Sequence, residues 1–411
     1  MPSSSRRAFL IGRAAAAEAQ AAGERLARRA ADGSRVVPSV GDTIRLETRA
    51  MACHWQVMIP ADPTIDVMAV SDVLDRVHEL ETVMTVYRED GELRQLNETQ
   101  TTEPVAISPA LADALAIGIA QTRATGGCFD LTAGPLIDLW QFARSEERAA
   151  TKDEIAEARS RCGVDRLELD REAGTIRRRQ PGMVLNLGGI GKGIALDVLA
   201  DELRSLGLRD FLVHGGRSSV LACGRCGTGN GWPVALRNPL EIERPLGTVL
   251  LQNEALSSSG SNVQFYRVEG RRYGHLLDPR IGQPADAALS ATVCAATAAA
   301  ADALSTAFFV GGLDFASPPG DTSHPSSQTD EPKPGSSVRP GGAAQPEGDA
   351  LELAIGPDVS VLLTPAPTGR TLQPIAVGPV FADEADERFF PAPGLRFSEQ
   401  SAVERPAFEA N

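Results

Sequence analysis

A run of glycines occurs where the chain could hold a phosphate. The stretch NLGGIGKGIALD, from Asn186 to Asp197, has glycines at positions 188, 189, 191 and 193, with Lys192 among them, and leads into a helical pattern. Backbone N–H groups at such a helix start can approach an anion closely, and the helix dipole and the lysine add positive charge. The spacing matches neither a dinucleotide fingerprint nor a Walker loop. From these residues alone, a pyrophosphate cradle and a tight structural turn both stay open.

Asp302 and Thr306 form a second candidate site in TAAAADALSTAFFVGG. Four residues apart, they project from one face of a predicted helix. A carboxylate and a hydroxyl are hard oxygen ligands that suit magnesium, whose coordination is usually completed by substrate phosphates. The alternative is an exposed aspartate with a threonine bonded back to its own helix. The alanines before Asp302 predict a largely buried helix, in which a carboxylate needs a partner.

A histidine and a cluster of serines are two further candidate groups. YGHLLDPRIGQP places His275 at the end of a predicted strand, where the imidazole could act as a general base or satisfy a loop hydrogen bond. Upstream, ALSSSGSN predicts a hydroxyl-rich turn at Ser257 to Ser259. No nucleophile elbow or H-E-x-x-H sequence accompanies them, so the residues do not support a serine hydrolase or a zinc protease.

Composition limits the classes of protein that the chain can belong to. Its 411 residues carry 40 basic and 54 acidic side chains, a formal net charge of −14, which argues against binding nucleic acid through diffuse positive charge. No apolar run reaches the roughly 18 residues of a membrane-spanning helix. The 6 cysteines are dispersed, and the C-x-x-C of Cys223 and Cys226 has no second pair, which favours a loop over a zinc site.

Helices and short strands must position these groups. Three stretches have the periodicity of helices with one buried face, namely residues 70–84, 109–125 and 191–206. Helices separated by meandering strands favour an α+β fold with antiparallel sheets over a repetitive βαβ winding. The predicted strands are Trp55 to Ile59, Phe211 to Val213, Ser219 to Ala222, Thr248 to Leu251 and Tyr273 to Leu277.

The chain divides into five predicted segments. Residues 1–43 form a leader or appendage in which Arg6 and Arg7 resemble a twin-arginine export signal, but Arg13 and Glu18 interrupt its apolar stretch, which favours a cytoplasmic location over export. Residues 44–315 form the predicted catalytic domain. The residues 316–350, rich in proline, serine and glycine, predict a disordered insertion. Residues 351–397 are expected to return to the catalytic domain as strands, and residues 398–411 form a polar tail.

Nine motifs follow one another in a fixed order over roughly residues 45–312. They are MACHW at Met51, TVYREDGELRQLN, TGGCFDLTAGPLIDLW, NLGGIGKGIALD, FLVHGG, GWPVALRNP, ALSSSG, YGHLLDP and ADALSTA. Nine ordered motifs are far more specific than any one of them. Together they resemble the ApbE family of FAD:protein FMN transferases.

The resemblance implies a T-fold-like α+β enzyme that depends on magnesium. Such an enzyme splits the pyrophosphate of FAD, moves FMN onto a threonine or serine hydroxyl in an Asp-x-Ser/Thr type of segment of an acceptor flavoprotein, and releases AMP. Carried over by motif, His275 would deprotonate the acceptor hydroxyl, and Asp302, Thr306 and the carbonyl of Gly189 would hold the metal. The cofactor-binding positions would be Met51, Tyr87, Cys128, Phe129, Asp130, Asn186, Lys192 and Leu276.

Three positions depart from the family pattern. Asn186 stands where the family usually has Asp, Arg217 replaces an acidic residue after Gly-Gly, and Gly91 replaces a serine. Asparagine keeps the hydrogen-bonding shape of aspartate but removes one negative charge. An FAD pyrophosphatase that releases FMN and AMP, and a flavin-binding module without turnover, are therefore the alternatives to a transferase.

Overall fold

The structure is a computed structural model that describes residues 43–241, 243–260, 265–286, 288–312, 359–365, 374–377, 379–382 and 388–392. Apart from Thr43, the predicted leader lies outside these residues, as do the proline-rich segment and the polar tail. The predicted segment boundaries therefore stay predictions.

Each of the three predicted helices forms. The helices of the described residues are α1 (Val67–Met84), α2 (Glu92–Glu98), α3 (Pro109–Ala124), α4 (Gly134–Ser145), α5 (Lys152–Ser160), α6 (Gly191–Ser205), α7 (Ala298–Gly311) and α8 (Pro379–Ala382). The first has the local signals of a helix start and a buried face. The Asp66 carboxylate accepts hydrogen bonds from the N–H groups of Met68 and Ala69, and the apolar residues from Val70 to Met84 face the core.

The described residues also contain short strands. They are β1 (Thr43–Ala50), β2 (Cys53–Pro60), β3 (Val105–Ala106), β4 (Leu167–Asp170), β5 (Thr175–Arg178), β6 (Phe211–Gly215), β7 (Ser219–Cys223), β8 (Trp232–Leu236), β9 (Gly247–Leu251), β10 (Glu254–Gly260), β11 (Phe265–Val268), β12 (Arg271–Gly274), β13 (Leu277–Asp278), β14 (Gln283–Pro284), β15 (Ala288–Ala295), β16 (Ser360–Pro365), β17 (Ile375–Val377) and β18 (Phe389–Pro391). The predicted strand Tyr273 to Leu277 is wrong in its middle, because the chain bends at His275 between β12 and β13.

One large sheet organises the molecule. Its eight strands lie in the order β1-β2-β6-β7-β10-β15-β16-β17, and every neighbouring pair is antiparallel. Helices α1, α6 and α7 pack on one face, where the main apolar core lies. The other face packs against the three-stranded sheet β18-β9-β8 through residues such as Leu212, Leu256 and Trp232. The predicted α+β fold of antiparallel sheets with packed helices is confirmed.

Helices α6 and α7 touch at their first turns. A Cβ added at Gly193 would lie 2.3 Å from the carbonyl oxygen of Ala298, so only glycine permits this approach. One turn further along α6, the Asp197 carboxylate accepts hydrogen bonds from the N–H groups of Ala298 (2.8 Å) and Ala299 (2.9 Å). Burial raises the pKa of Asp197, and these two hydrogen bonds oppose the rise. The two helix starts are thereby locked together, which fixes the site described next.

Candidate functional site

Asp302 lies in the middle of α7 and is only 4% exposed. Its Oδ1 accepts hydrogen bonds from the hydroxyls of Ser257 (2.8 Å) and Ser219 (3.3 Å). Its Oδ2 accepts one from the Gly193 N–H (3.1 Å) and faces the Lys192 ammonium at 3.7 Å. We call these five residues the Asp302 cluster. Three donors and one ammonium provide the partners that a buried carboxylate requires.

Strand β10 supplies three of the serines of this region, and β7 supplies Ser219. Ser257 belongs to the cluster just described, and the Oγ of Ser259 lies 3.3 Å from the Oγ1 of Thr306. Ser258 instead lies beside Thr292 of the neighbouring strand, at 2.8 Å between their hydroxyl oxygens. The predicted turn at these serines is wrong. Three identical residues in a row conceal the two-residue period of a strand, so the pattern gave no sign that Ser257 and Ser259 share a face.

The glycine-rich turn approaches α7 beside Thr306. A Cβ added at Gly189 would lie 3.5 Å from the Oγ1 of Thr306 and 3.2 Å from the Phe129 ring. Thr306 also donates a hydrogen bond to the carbonyl oxygen of Asp302 (3.4 Å), as the alternative interpretation expected. The exposed aspartate of that interpretation is wrong, because Asp302 is buried. Oxygen atoms of Gly189, Asp302 and Thr306 thus belong to one small region.

Asn186 shapes the start of the turn. Its Oδ1 accepts a hydrogen bond from the Gly188 N–H (2.7 Å), and its own N–H donates to the carbonyl oxygen of Leu131 (2.8 Å). An aspartate oxygen would accept the same bond. The substitution of Asn for the family's Asp therefore preserves the local turn while removing one negative charge beside it.

Two β-turns border Lys192. Met51, in the turn between β1 and β2, has a positive φ of 49° and donates its N–H to Glu81 on α1 (2.8 Å). Burial raises the pKa of the neighbouring Cys53 thiol, and the Lys192 ammonium opposes that rise. A Cβ added at Gly216 would lie 3.4 Å from the Cys53 sulfur, so the β6–β7 turn that carries Arg217 is close as well. No sequence signal singled out Cys53.

The loop between α3 and α4 carries two more of the predicted residues. Cys128 is 1% exposed, and burial raises its pKa to about 11, so the thiol is protonated at neutral pH. Burial also raises the pKa of Asp130, whose Oδ1 accepts hydrogen bonds from the N–H (2.8 Å) and hydroxyl (2.7 Å) of Thr132. The charges of Arg280 and Asp278 act on the Cys128 thiol, so this loop adjoins the segment that follows His275.

The remaining predicted residues lie in exposed or partly exposed loops. His275 is exposed in the bend between β12 and β13, and Leu276 is half-buried against the main core. Tyr87, after α1, is 72% exposed. The contacts above bring Gly189, Phe129, Lys192, Asp302 and Thr306 together, with Asn186 at the start of the same turn. In the described part of the chain, no hydrogen bond links Tyr87 to the Asp302 cluster.

Two further observations bear on the location of a site. A surface cavity of about 720 Å³ lies between α3 and the β4–β5 hairpin, and none of the predicted site residues lines it. It contains side chains of both charges, such as Arg123 and Asp170, rather than converging donors of one kind. Among the described residues, no helix has both the length and the apolar character needed to cross a bilayer.

Known proteins resemble this chain over most of its described length. The model of the ApbE family matches residues 51–317. An FAD:protein FMN transferase of Haemophilus influenzae is 34% identical over 241 residues, which cover 57% of this chain and 69% of that protein. The FAD:protein FMN transferase of Escherichia coli K12 is 28% identical over 281 residues, which cover 66% of this chain and 79% of that protein.

Solved structures show the same architecture. The flavin transferase ApbE from Vibrio cholerae has a TM-score of 0.63 at 23% identity, and the match covers 82% of this chain and 97% of that one. The ApbE protein from Thermotoga maritima has a TM-score of 0.60 at 26% identity, with 66% and 87% covered. The family model spans residues 51–317, and the relatives and solved structures agree with it. The chain therefore belongs to the ApbE family.

Proposed function

We propose that this chain is an FAD:protein FMN transferase, the activity for which its curated relatives are named. The enzyme cleaves the diphosphate of FAD, joins FMN to a serine or threonine hydroxyl of an acceptor flavoprotein, and releases AMP. One observation carries the proposal: the glycine-rich stretch meets α7, with the Gly193 N–H and the Lys192 ammonium at the buried Asp302 carboxylate and Gly189 beside the Thr306 hydroxyl. Features that bind a diphosphate and features that suit a divalent cation are therefore in contact.

The donor atoms of this region fit a magnesium ion. The Asp302 carboxylate, the Thr306 hydroxyl and the Gly189 carbonyl are hard oxygen donors, which magnesium prefers. The described residues contain no cluster of three or more His, Cys, Asp or Glu side chains that could hold a metal alone. A site with one carboxylate would depend on phosphate oxygens of the substrate to complete the coordination. When bound, the ion would neutralise the charge that develops on the diphosphate.

The same region supplies donors for the diphosphate itself. Residues 188–193 lead directly into the first turn of α6, whose N–H groups and dipole favour an anion. Lys192 is half-buried there, beside Asp302, and would place its ammonium near phosphate oxygens. Lys192 and Asp302 hold each other in position before any ligand arrives. This pre-arranged pair reduces the reorganisation needed for catalysis.

His275 would act as the general base. Its place in an exposed bend lets an acceptor hydroxyl from another protein approach the ring. The hydroxyl oxygen would attack the FMN phosphorus, its proton would pass to the imidazole, and the bond to the AMP oxygen would break. The flavin and adenine would lie among Met51, Tyr87, Cys128, Phe129, Asp130, Asn186 and Leu276.

A pyrophosphatase is the second candidate, and the exposure of His275 favours it, since water reaches the same ring. In that case water replaces the acceptor hydroxyl, and free FMN appears with AMP. A flavin-binding module without turnover is the third, because Asn186 removes a negative charge from the turn.

Removal of bound metal ions with EDTA distinguishes the three candidate functions. Protein treated with EDTA is incubated with FAD and a coexpressed flavoprotein domain that carries an Asp-x-Ser/Thr segment, with and without added magnesium. The transferase predicts that AMP is released and that the intact mass of the domain rises by covalently bound FMN, only when magnesium is present. Released FMN beside an unmodified domain would assign a pyrophosphatase. Unchanged FAD after prolonged incubation would assign a binding module.

A further inference from the structure

The segment that leads into the glycine-rich turn is held by one buried side chain of α2. Asn97 is only 9% exposed. Its Nδ2 donates a hydrogen bond to the Leu185 carbonyl oxygen (2.8 Å), and its Oδ1 accepts one from the Leu185 N–H (2.9 Å). A side-chain amide thus bonds both polar backbone groups of one residue, as a paired strand would. The residue after Leu185 is Asn186, where the turn begins.

Both ends of α2 are fixed, which makes Asn97 a firm point of attachment. At the start of the helix, the Glu92 carboxylate accepts hydrogen bonds from the N–H (2.7 Å) and the hydroxyl (2.6 Å) of Ser108. Near its end, the buried Arg178 guanidinium donates a hydrogen bond to the carbonyl oxygen of Leu96 (2.9 Å). A cation at the last carbonyl groups of a helix is also favoured by the helix dipole. The helix therefore cannot shift without breaking these bonds.

Beyond Leu185, the turn is closed by hydrogen bonds of its own. The Leu187 carbonyl oxygen accepts hydrogen bonds from the N–H groups of Ile190 (3.0 Å) and Gly191 (2.7 Å), and Gly191 is the first residue of α6. Another hydrogen bond, described above, closes residues 186–188. A loop with this many internal bonds moves as one unit. Its position therefore depends on how its entry at Leu185 is attached.

The same segment is also attached to the loop between α3 and α4. The Asn186 N–H donates a hydrogen bond to the Leu131 carbonyl oxygen (2.8 Å). A Cβ added at Gly134, the first residue of α4, would lie 2.4 Å from the carbonyl oxygen of Val184, so the start of α4 packs directly on this backbone. Loss of the Asn97 side chain would leave these contacts in place. We therefore expect such a loss to displace the turn rather than to unfold it.

We propose that Asn97 is a positioning residue of the FAD site, because by fixing Leu185 it holds the glycine-rich turn where Gly189 lies beside Thr306. This inference rests on the proposed function, in which the turn binds the FAD diphosphate. Asn97 acts through Leu185 rather than on the substrate, since its amide is buried and bonded to Leu185. A misplacement of about 1 Å at a reacting centre costs about 10²-fold in rate, so a residue outside the site can still determine turnover.

FAD binding by the variant Asn97→Ala tests the inference. In EDTA, where the proposed enzyme does not cleave FAD, quenching of the flavin fluorescence gives the dissociation constant for the full chain. The variant is expected to bind FAD at least about tenfold more weakly and, with magnesium, to raise the KM for FAD by a similar factor. Partial unfolding alone would lower the amount of FAD bound at saturation and leave the dissociation constant unchanged. That result would overturn the inference.

Ser360→Ala is the matched control. The buried Ser360 hydroxyl on β16 accepts a hydrogen bond from the Val380 N–H (3.0 Å), so this variant also removes a side-chain bond to buried backbone, but two strands away from β10. It is expected to keep the wild-type dissociation constant and KM for FAD. An equal loss of FAD affinity in Ser360→Ala would overturn a specific role of Asn97.

Hydrogen–deuterium exchange of the full chain gives a measurement that does not depend on FAD. In Asn97→Ala, the N–H groups of residues 186–191 are expected to exchange at least about tenfold faster than in the wild type, because local opening of the turn becomes easier. Ser360→Ala should leave their exchange unchanged. Equal exchange of residues 186–191 in Asn97→Ala and the wild type would overturn the inference.

The conservative variant Asn97→Asp serves if the alanine variant folds poorly. An ionised carboxylate accepts the Leu185 N–H but cannot donate to the Leu185 carbonyl oxygen, whereas a protonated carboxyl group does both. The FAD affinity of this variant, relative to the wild type at the same pH, is therefore expected to recover as the pH falls. A deficit that stays constant as the pH falls would overturn the inference. Wild-type protein that binds FAD but never transfers FMN would refute the transferase, and weaker FAD binding by Asn97→Ala would still support the positioning role.

Discussion

The Asp302 cluster and the ribbon of β11 and β12 (Phe265–Val268 and Arg271–Gly274) place their charged side chains in different surroundings. In the cluster, one buried carboxylate meets two hydroxyls, a backbone N–H and an ammonium. In the ribbon, Arg267 and Arg272 face each other on an exposed surface. The first region buries its charge among four partners, whereas the second leaves Arg267 and Arg272 at opposed positions on an exposed strand pair. A buried charge must find its partners inside the fold, whereas solvent and salt screen charges on an exposed surface.

The largest expected effect concerns the centre of the cluster. Asp302→Ala is expected to reduce magnesium-dependent FAD cleavage by at least about 10³-fold, because the only carboxylate among the proposed metal ligands is removed. Product formation is followed by chromatography of FMN and AMP. Asp302→Asn is the matched variant, since it keeps volume and hydrogen-bonding shape while removing the charge, and circular dichroism reports whether both variants fold. Undiminished turnover in the folded Asn variant would exclude Asp302 from the site.

His275 directly follows β12 in the chain, and its replacement comes next in size. His275→Ala is expected to slow FMN transfer by roughly 10²–10⁴-fold, the usual contribution of a general base. The melting temperature should stay unchanged, because the side chain is exposed. His78→Ala is the control, since the His78 side chain is also exposed and its ring is hydrogen-bonded only to Thr48 among the described residues. A loss of transfer below tenfold would indicate a structural role for His275.

Two neighbouring serines of β10 test whether the hydroxyl partners of Asp302 contribute to turnover. Ser257→Ala removes one of the two hydroxyls bound to Asp302 Oδ1 and is expected to slow turnover by about tenfold, since a buried acceptor that loses a donor costs about 1–3 kcal/mol. Ser258→Ala removes a hydroxyl from the same strand that contacts Thr292 instead. It should retain wild-type turnover, and equal losses in both variants would show that β10 contributes only its fold.

The serines around Asp302 show which part of the site could not be predicted from the sequence. The helices followed from apolar periodicity, as in Val70 to Met84, and the α+β class followed from their alternation with short strands. The proximity of Gly189 to Thr306 followed from ordered motifs. The partners of Asp302 did not, because Ser219 and Ser257 come from two different strands and share no spacing with α7. Hydrogen bonds between distant segments depend on sheet order, which local patterns do not encode.

A smaller effect tests how rigidly the cluster is held. Gly193→Ala is expected to lower the free energy of unfolding by about 1–3 kcal/mol, since its Cβ would lie 2.3 Å from backbone of α7 that cannot yield. Gly191→Ala is the control, because its Cβ would meet nothing closer than the Met84 sulfur at 3.8 Å. Urea denaturation measures both. Equal stability of the two variants would mean that the starts of α6 and α7 are not locked together.

The smallest effect is expected in the ribbon, and it has the opposite sign. Arg267→Thr replaces one of two opposed arginines with a residue that favours strands, so the free energy of unfolding should rise by about 0.5 kcal/mol at low salt. The gain should shrink as salt screens the repulsion, and Arg267→Lys, which keeps the charge, should show none. Urea denaturation at two salt concentrations measures these differences. A destabilised variant would mean that the Arg267 contact with the Phe265 ring outweighs the repulsion.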